Sequence, residues 1–425
     1  MIASSLLRKG WCPGARRPMQ SGDGLLLRIR PRAGTLAVSS LFAIAKTAVE
    51  FGSGEIDLTN RGNLQLRGLS AKSYPEALAL LDASGLIDEQ ADVEAVRNVI
   101  VDPLSGVDPA RADVCTLAAR LEDVLVEHKA FWQLPGKFGF SFSGSSEPRI
   151  GGRSTDIMIS ATTSGSLAIS LDGNADVGAI VAVDSAIEAI TRLAAIFLEL
   201  RASDATITRM RDAVERRGSA TIYAAAGLES SLLPSPGDNG IQTPPVGLLA
   251  DRNGTFAAGV GLPFGRVLAR QLEALYGVAS CVGIQSVRTS PQRVLVFPVV
   301  SDGQAKAVLA EAEYRDLIAA PNDLRLFFDV CPGAPACANA TTETRRDARR
   351  LADALYGTTT LPSLHISGCE KGCARRGAAA LTLVARDGRY DVICNDGPSG
   401  PVALSGVSPA EIDAAVARFI NGPLV

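Results

Sequence analysis

Two pairs of cysteines near the C-terminal end constrain the fold of this chain more than any other feature. Cys331 and Cys337 form a C-x5-C pair, and Cys369 and Cys373 form a C-x3-C pair after a gap of thirty-one residues. Four thiolates around a small space suit zinc or an iron–sulfur cluster. Structural zinc sites use closer pairs, C-x2-C to C-x4-C, so the wider first loop favours a cluster. The fold must therefore bring two distant loops together.

Length and composition indicate a protein of several domains. The 425 residues are enough for two to four domains, and a net charge of −3 argues against bulk electrostatic binding of nucleic acid or membrane. The start lacks the apolar stretch of an export signal, and no apolar run approaches the roughly 20 residues of a membrane span. We therefore expect a cytoplasmic protein, in which clustered cysteines indicate metal or redox chemistry. The other cysteines are expected to be ordinary buried thiols: Cys12, Cys115, Cys281 and Cys394.

Alternating polar and apolar residues near the N-terminus predict two strands. Residues 25–30 are expected to form the first strand, residues 36–51 a helix that ends at Gly52, and residues 55–66 the second strand. Polar side chains could then gather on one sheet face, although a plain solvated face is the alternative. Four arginines would lie in two pairs that each share a strand face: Arg28 with Arg30, and Arg61 with Arg67.

A similar order of elements recurs about 220 residues later. Gly254-Thr255 follows a strand at 246–252 as Gly34-Thr35 follows the first strand, and a helix is predicted at 264–276. Two strands complete the second copy, at 282–287 and 293–299. Two β–α–β units far apart in sequence predict one assembly with pseudo-two-fold symmetry.

The rest of the chain alternates between predicted strands and helices. Between the copies, helices are predicted at 108–131, 177–200 and 204–217, and strands at 137–142, 156–160 and 167–171. Residues 232–240 are expected to form a linker. After residue 304, a strand at 324–330 leads to Cys331, a helix covers 341–355, and a strand at 363–367 leads to Cys369. Both cysteine pairs are therefore expected on loops at strand ends.

Several motifs together resemble the nitrite/sulfite reductase superfamily. They are Leu58-Thr-Asn-Arg-Gly-Asn-Leu-Gln-Leu-Arg67, the stretch 96–109, Leu134-Pro-Gly-Lys-Phe138 and the four cysteines. The resemblance implies an α+β and α/β fold, in which two ferredoxin-like half-domains pair with pseudo-two-fold symmetry beside two related α/β domains. It also implies a four-iron four-sulfur (4Fe-4S) cluster on the four cysteines of the second α/β domain. The implied domains are 1–72, 73–230, 231–303 and 304–425.

Within this superfamily the chain is most similar to the oxygen-dependent branch that acts on a precorrin in aerobic cobalamin synthesis. The similarity lies in Gly10-Trp-Cys-Pro-Gly14, in residues 18–25 and in Ser367-Gly-Cys-Glu-Lys-Gly-Cys-Ala374. Sulfite reductases read Lys-Phe-Lys where this chain reads Lys137-Phe138-Gly139, and their second lysine helps to hold a small oxyanion over sirohaem. Losing that cation weakens the binding of sulfite or nitrite. The resemblance therefore implies that a tetrapyrrole itself reacts and that sirohaem is not a cofactor.

The resemblance implies a monooxygenase reaction on precorrin-3A. One atom of O2 would enter the macrocycle at C20, and a ring A acetate would close a γ-lactone. Precorrin-3A is rich in carboxylates, which arginine forks bind best. The glycines within 259–265 do not form a dinucleotide fingerprint, so electrons are expected from a separate NADH-linked donor. The candidate substrate-binding residues are Arg28, Arg30, Arg61, Arg67, Arg97 and Lys137.

A mononuclear non-haem iron is also associated with this branch, and its ligands are open. The chain has only two histidines, His128 and His365, and a site of two histidines and one carboxylate would need both. Lys137 and His365 are the candidate catalytic residues. Two other functions stay open: a sirohaem-dependent nitrite or sulfite reductase, and a non-enzymatic electron carrier or zinc-stabilised binding module.

Overall fold

The computed structural model describes residues 13–146, 150, 155–233, 244–357, 363–375 and 377–421. These residues form four β-sheets, two of them in a pair of related units and two in α/β domains. Among the helices of these ranges, none combines the length and the apolar composition needed to cross a membrane. The predicted linker at 232–240 lies mostly outside the described residues, as does Cys12.

The first unit is an antiparallel sheet covered by helices. Residues 59–63 form a turn in which the Thr59 N–H donates to the Asn63 carbonyl at 2.8 Å. The predicted single strand at 55–66 is therefore wrong, because the alternation of polar and apolar residues continues through this turn. The elements are β1 (Met19–Ser21), β2 (Gly24–Ile29), β3 (Thr35–Ala37), α1 (Val38–Phe51), β4 (Glu55–Leu58), β5 (Leu64–Leu69) and α2 (Tyr74–Ala83).

The first α/β domain packs helices against a mixed sheet ordered β11-β10-β9-β8-β7-β6. The predicted strand at 167–171 is confirmed, whereas the start of the predicted helix at 177–200 is wrong because those residues complete β10. The elements are α3 (Ala91–Val96), β6 (Val99–Val101), α4 (Cys115–Glu127), β7 (Phe140–Ser143), β8 (Ile157–Ala161), β9 (Leu167–Leu171), β10 (Asn174–Val181), α5 (Ala186–Ser203), α6 (Met210–Arg217), α7 (Ser219–Ala225) and β11 (Ser231–Leu232).

The second unit exchanges a strand with the first. Strand β14 of the second unit pairs with β4 of the first, and β3 of the first pairs with β15 of the second. Helices α1 and α8 pack together over a shared apolar core, so the predicted pairing with pseudo-two-fold symmetry is confirmed. The elements are β12 (Gly247–Asp251), β13 (Gly254–Gly261), β14 (Arg266–Leu268), α8 (Ala269–Cys281), β15 (Ser286–Thr289), β16 (Val294–Pro298) and α9 (Asp302–Tyr314).

The offset between the two units is 231 residues rather than the predicted 220. Helix α1 begins at Val38 and α8 begins at Ala269, and β4 and β15 are separated by the same interval. Gly254 corresponds to Gly24, because both begin the second strand of their unit with a positive φ, 134° and 122°. The Gly-Thr match therefore does not relate the two units, and the helix predicted at 264–276 begins five residues before α8.

The C-terminal domain carries the two cysteine pairs beside its parallel strands. Strands β17, β18 and β19 are parallel neighbours, whereas β20 and β21 continue the sheet in antiparallel pairs. The predicted strand at 324–330 is shorter than expected, because Leu324–Phe327 is a 3-10 helix. The elements are β17 (Phe328–Val330), α10 (Thr344–Ala354), β18 (Leu364–Ser367), β19 (Ala379–Arg386), β20 (Arg389–Asp396), β21 (Val402–Val407) and α11 (Ile412–Asn421).

One buried carboxylate joins three of these parts. Asp57 on β4 lies 2.8 Å from the Nε of Arg266 on β14 and 3.0 Å from a guanidinium nitrogen of Arg345 on α10. A guanidinium nitrogen of Arg67 on β5 is 3.6 Å away. Burial alone would raise the pKa of Asp57, but the three arginines hold it well below its usual range.

Replacing this carboxylate should destabilise the whole assembly. Asp57→Asn leaves buried guanidinium groups without their negative charge, and such a loss costs about 3–5 kcal/mol of unfolding free energy. Denaturant unfolding measures the change. The control is Asp123→Asn, which removes an exposed ion pair with Arg32 and should cost less than about 1 kcal/mol. Equal effects of the two variants would show that Asp57 does not join the parts.

Candidate metal centre and its basic surroundings

The fold brings the two loops that carry the four predicted cysteines close together. Cys331 directly follows β17 and is buried, and Cys369 follows the adjacent parallel strand β18 and is half-buried. The thiol of Cys373 lies close enough to the other three for each to affect it electrostatically. Burial raises the pKa of Cys369, and the nearby thiols of Cys337 and Cys331 raise it further. Two loops more than thirty residues apart therefore lie near each other, but among the described residues no three of these thiols are arranged as the ligands of one metal ion would be.

The surroundings of Cys331 fit a bound thiolate. The backbone N–H of Gly368 donates to the Cys331 Sγ at 3.1 Å, and the Thr344 Oγ1 lies 3.8 Å from the same sulfur. Such N–H···S bonds stabilise a thiolate and tune a cluster. Gly333 has a φ of 70°, and a Cβ there would lie 2.3 Å from the Thr344 hydroxyl, so only glycine fits this loop. The four soft donors suit an iron–sulfur cluster, and their role as its ligands stays a prediction.

The two histidines are not brought together. His365 is fully buried on β18, in register with Asp329 on β17 and Thr382 on β19. His128 is exposed at the end of α4, where its ring stacks on Phe131 with 6.3 Å between centroids. Over the described ranges no three His, Cys, Asp or Glu side chains meet as the ligands of one metal ion would. These residues therefore do not fit a mononuclear iron held by both histidines.

Of the other cysteines, those that the structure describes are not fully buried. Cys281 is exposed, and Cys115 and Cys394 are half-buried. The expectation of a buried thiol is therefore wrong for Cys281, the last residue of α8, whereas Cys115 and Cys394 are partly buried against the cores of their domains.

Two of the predicted basic residues form buried ion pairs with acidic residues. Arg30 lies 3.6 Å from Glu94, and Arg97 lies 2.6 Å from Asp88 and 3.4 Å from Glu122. Burial raises the pKa of Glu122 to about 7, against the opposing effect of the Arg97 charge. The Arg30–Glu94 pair joins the first unit to the first α/β domain, and Arg97 does the same by donating to the Arg30 carbonyl at 3.3 Å, so both arginines have a structural role whether or not substrate also reaches them.

Arg61 and Arg67 do not share a strand face as predicted. Arg61 lies in the turn between β4 and β5, whereas Arg67 is on β5 and is 2% exposed. The guanidinium of Arg67 donates to both carboxylate oxygens of Asp23 at 2.8 and 2.9 Å. Arg28 on β2 donates to the side-chain oxygen of Gln65 on the adjacent β5 at 2.6 Å when that amide is oriented to accept. Arg28 and Arg67 therefore lie on the adjacent paired strands β2 and β5, whereas Arg61 lies in the turn before β5.

Arg61 and Lys137 do come together, around the backbone of Gly139. A guanidinium nitrogen of Arg61 donates to the Lys137 carbonyl at 3.2 Å, and the Asn98 amide donates to the Phe138 carbonyl at 2.6 Å. The Gly139 N–H donates to Asp156 at 2.9 Å. A Cβ at position 139 would lie 2.8 Å from the Asn98 Nδ2 and 3.2 Å from Arg61 Nη1. Position 139 is therefore closed to a side chain unless its neighbours move.

Sequence reasoning missed two residues of this group. Asn98 lies within the motif 96–109, but the resemblance assigns no role to its side chain. Asp156, which is fully buried, also accepts from Arg209 and from the Met210 N–H, and no sequence pattern marked it. Both fix the backbone around Gly139 and are invisible to strand periodicity.

Comparison with known proteins identifies the two exchanged units. The family model described as nitrite/sulfite reductase ferredoxin-like half domain matches residues 17–84 and 249–313. These ranges begin and end close to the first and second units, so the prediction of two ferredoxin-like half-domains is confirmed. The boundaries of the four predicted domains stay predictions.

Relatives that match the chain over most of its length fall into two groups. The chain is 32% identical to precorrin-3B synthase from Sinorhizobium over 93% of this chain and 84% of that protein. It is 26% identical to ferredoxin–nitrite reductase from Synechococcus elongatus over 88% of this chain and 78% of that protein. The structure of the Mycobacterium tuberculosis NirA protein matches with a TM-score of 0.75 at 20% identity, over 93% of this chain and 80% of that one. This last likeness shows the shared fold.

Removing a predicted cluster ligand should remove the iron. Cys337→Ser or Cys369→Ser takes away one of four thiolates, so the broad visible absorbance of a cluster should be lost in anaerobically purified protein. Cys394→Ser, which alters a half-buried thiol on β20, is the matched control and should keep the absorbance. A colourless Cys394→Ser protein, or a fully loaded Cys337→Ser protein, would show that the ligands are other cysteines.

Proposed function

The chain belongs to the nitrite/sulfite reductase superfamily and, within it, to the family of precorrin-3B synthase, and from this premise we propose that it hydroxylates precorrin-3A. One atom of O2 enters the macrocycle at C20 and the other leaves as water, while a ring A acetate closes the γ-lactone. The two electrons come from a separate NADH-linked donor, in the cytoplasm. A 4Fe-4S cluster on Cys331, Cys337, Cys369 and Cys373, when bound, would supply these electrons singly.

The observation that carries this proposal is the closed space at position 139. A reductase of this superfamily places a lysine here to hold sulfite or nitrite, whereas the backbone of Gly139 is enclosed by Asn98, Arg61 and Asp156. A small oxyanion would lose a cation that stabilises both its binding and the charge built up during reduction. The arrangement therefore supports a reaction in which the large tetrapyrrole is the substrate.

The proposal places substrate carboxylates on Arg61 and Lys137. The Arg61 guanidinium donates to the Lys137 backbone carbonyl at 3.2 Å, so the two residues are neighbours in the fold. Both are partly exposed, which a residue that meets a large ligand must be. Arg28 is the third candidate, because β2 and β5 run beside the turn that carries Arg61. Lys137 is the candidate catalytic residue at the surface, and His365 would act from within the sheet.

A sirohaem-dependent nitrite or sulfite reductase is the second candidate. The observation that favours it is the similarity to ferredoxin–nitrite reductase and to sulfite reductase over 82–92% of this chain. The two functions differ in what fills the site: a reductase keeps sirohaem permanently, whereas a synthase must let its tetrapyrrole enter and leave.

Analysis of the isolated protein separates these functions. The proposed enzyme should show the broad absorbance of a cluster and yield no sirohaem on acid–acetone extraction. It should consume O2 when given precorrin-3A and electrons, and it should not reduce sulfite or nitrite. Stoichiometric sirohaem together with sulfite or nitrite reduction would overturn the proposal in favour of the reductase.

The contact between Arg61 and position 139 predicts how substrate binding responds to mutation. Arg61→Ala should weaken precorrin-3A binding by about tenfold or more, since a charge-assisted contact contributes roughly 1.5–3 kcal/mol. Gly139→Ala should also weaken it, because the added Cβ displaces Arg61 and Asn98. The double variant should bind no more weakly than Arg61→Ala, because both changes act on one contact.

Binding titrations of the three variants measure this coupling. Arg32→Ala is the control, because Arg32 is an exposed arginine of the same unit that pairs with Asp123. Its affinity should equal that of the wild type. Additive losses in the double variant would show that Arg61 and position 139 act independently.

A further inference from the structure

A single backbone carbonyl in the C-x5-C loop receives an unusual set of donors. Ala336 directly precedes Cys337, and its carbonyl accepts from the Ser21 hydroxyl at 2.6 Å, the Arg67 guanidinium at 2.7 Å and the Gly22 N–H at 3.3 Å. All three donors come from the first unit, and Ser21 and Arg67 lie 315 and 269 residues from Ala336 along the chain. A carbonyl oxygen has two lone pairs, so one donor would have satisfied it. The excess indicates that the position of this carbonyl is fixed.

The charge of Arg67 is held rigidly at this carbonyl. Asp23 binds its guanidinium through both carboxylate oxygens, and the Ser21 hydroxyl accepts from it at 3.0 Å. Asp57 adds a further negative charge at 3.6 Å. Because the guanidinium is 2% exposed, water hardly screens it from the loop.

Gly22 allows the turn between β1 and β2 to approach the C-x5-C loop closely. A Cβ on Gly22 would lie 2.1 Å from the Pro335 carbonyl oxygen and 3.2 Å from the Ala338 backbone nitrogen. Neither atom is the movable end of a side chain. Any side chain at this position would therefore push the two segments apart.

We propose that Ser21, Gly22, Asp23 and Arg67 form a loop clamp, which positions Cys337 and holds the Arg67 guanidinium, with Asp23 as its counter-ion, against the C-x5-C loop. The inference rests on the proposed cluster, and it assigns Arg67 to the metal loop instead of to a substrate carboxylate. It also gives a role to the segment 18–25, which the proposed reaction left without one. Reduction adds an electron to a cluster, so a nearby cation stabilises the reduced form and raises the midpoint potential.

Glycine-to-alanine variants test whether the clamp positions the C-x5-C loop, because they change no charge. Gly22→Ala should increase the hydrogen exchange of residues 331–338 and speed the loss of iron to a chelator. Gly277→Ala is the matched control, because a Cβ there meets no atom within 4 Å, and both of its readouts should equal the wild type. Wild-type exchange and iron retention in Gly22→Ala would overturn the clamp.

Variants of arginine test the electrostatic role by redox titration of the purified holoprotein. Arg67→Gln should shift the midpoint potential to more negative values, whereas Arg67→Lys should restore most of it because the charge is kept. Arg32→Gln should leave the potential unchanged. An unchanged potential in Arg67→Gln would overturn this role, and if that variant does not fold, Ser21→Ala should still show the faster iron loss.

These readouts do not require turnover, so they are independent of the reaction itself. A protein that passes both tests but consumes no O2 with precorrin-3A would refute the proposed function and leave the clamp in place. A protein without any iron–sulfur absorbance would overturn the electrostatic role, because no cluster would be there to sense the charge.

Discussion

The structure depends on one buried interaction, in which three arginines from three parts of the chain surround Asp57. Arg67 belongs to the first half-domain, Arg266 to the second and Arg345 to the first turn of the helix after the C-x5-C loop. Burial lowers the pKa of Arg345 to about 10, although the Asp57 charge opposes this effect. Because a buried charge is costly without a partner, these groups hold the three parts in one arrangement.

The position of the C-x5-C loop depends on this arrangement. Arg67 bonds Asp23 and lies near Asp57 on one side, and it donates to the Ala336 carbonyl on the other. Arg345 carries the same constraint into α10, where Thr344 lies beside the Cys331 sulfur. The two cysteine loops are therefore positioned by contacts with the paired half-domains as well as by the strands that precede them.

Local patterns predicted the parts of the site that local structure determines. Cys331 and Cys369 follow strands whose short apolar runs are visible in the sequence, and β9 was located to the residue. The basic face was predicted less well, because alternation at 55–66 runs unbroken through the turn at 59–63 and hides the reversal. Periodicity also does not predict which acidic residue pairs with which arginine. Glu94, Asp88 and Asp23 bind Arg30, Arg97 and Arg67 from segments that only the tertiary fold brings near.

This division suggests how one scaffold can serve different reactions. Arg30, Arg67 and Arg97 are held by carboxylates of the protein itself, so changing them would disturb the joints between the parts. Position 139 lies outside that network, on a short backbone segment that Asn98 and Asp156 fix through its main-chain groups. The bond from the N–H of residue 139 to Asp156 needs no particular side chain at this position. A cation could therefore be lost there without loss of the frame, once Asn98 and Arg61 occupied its space.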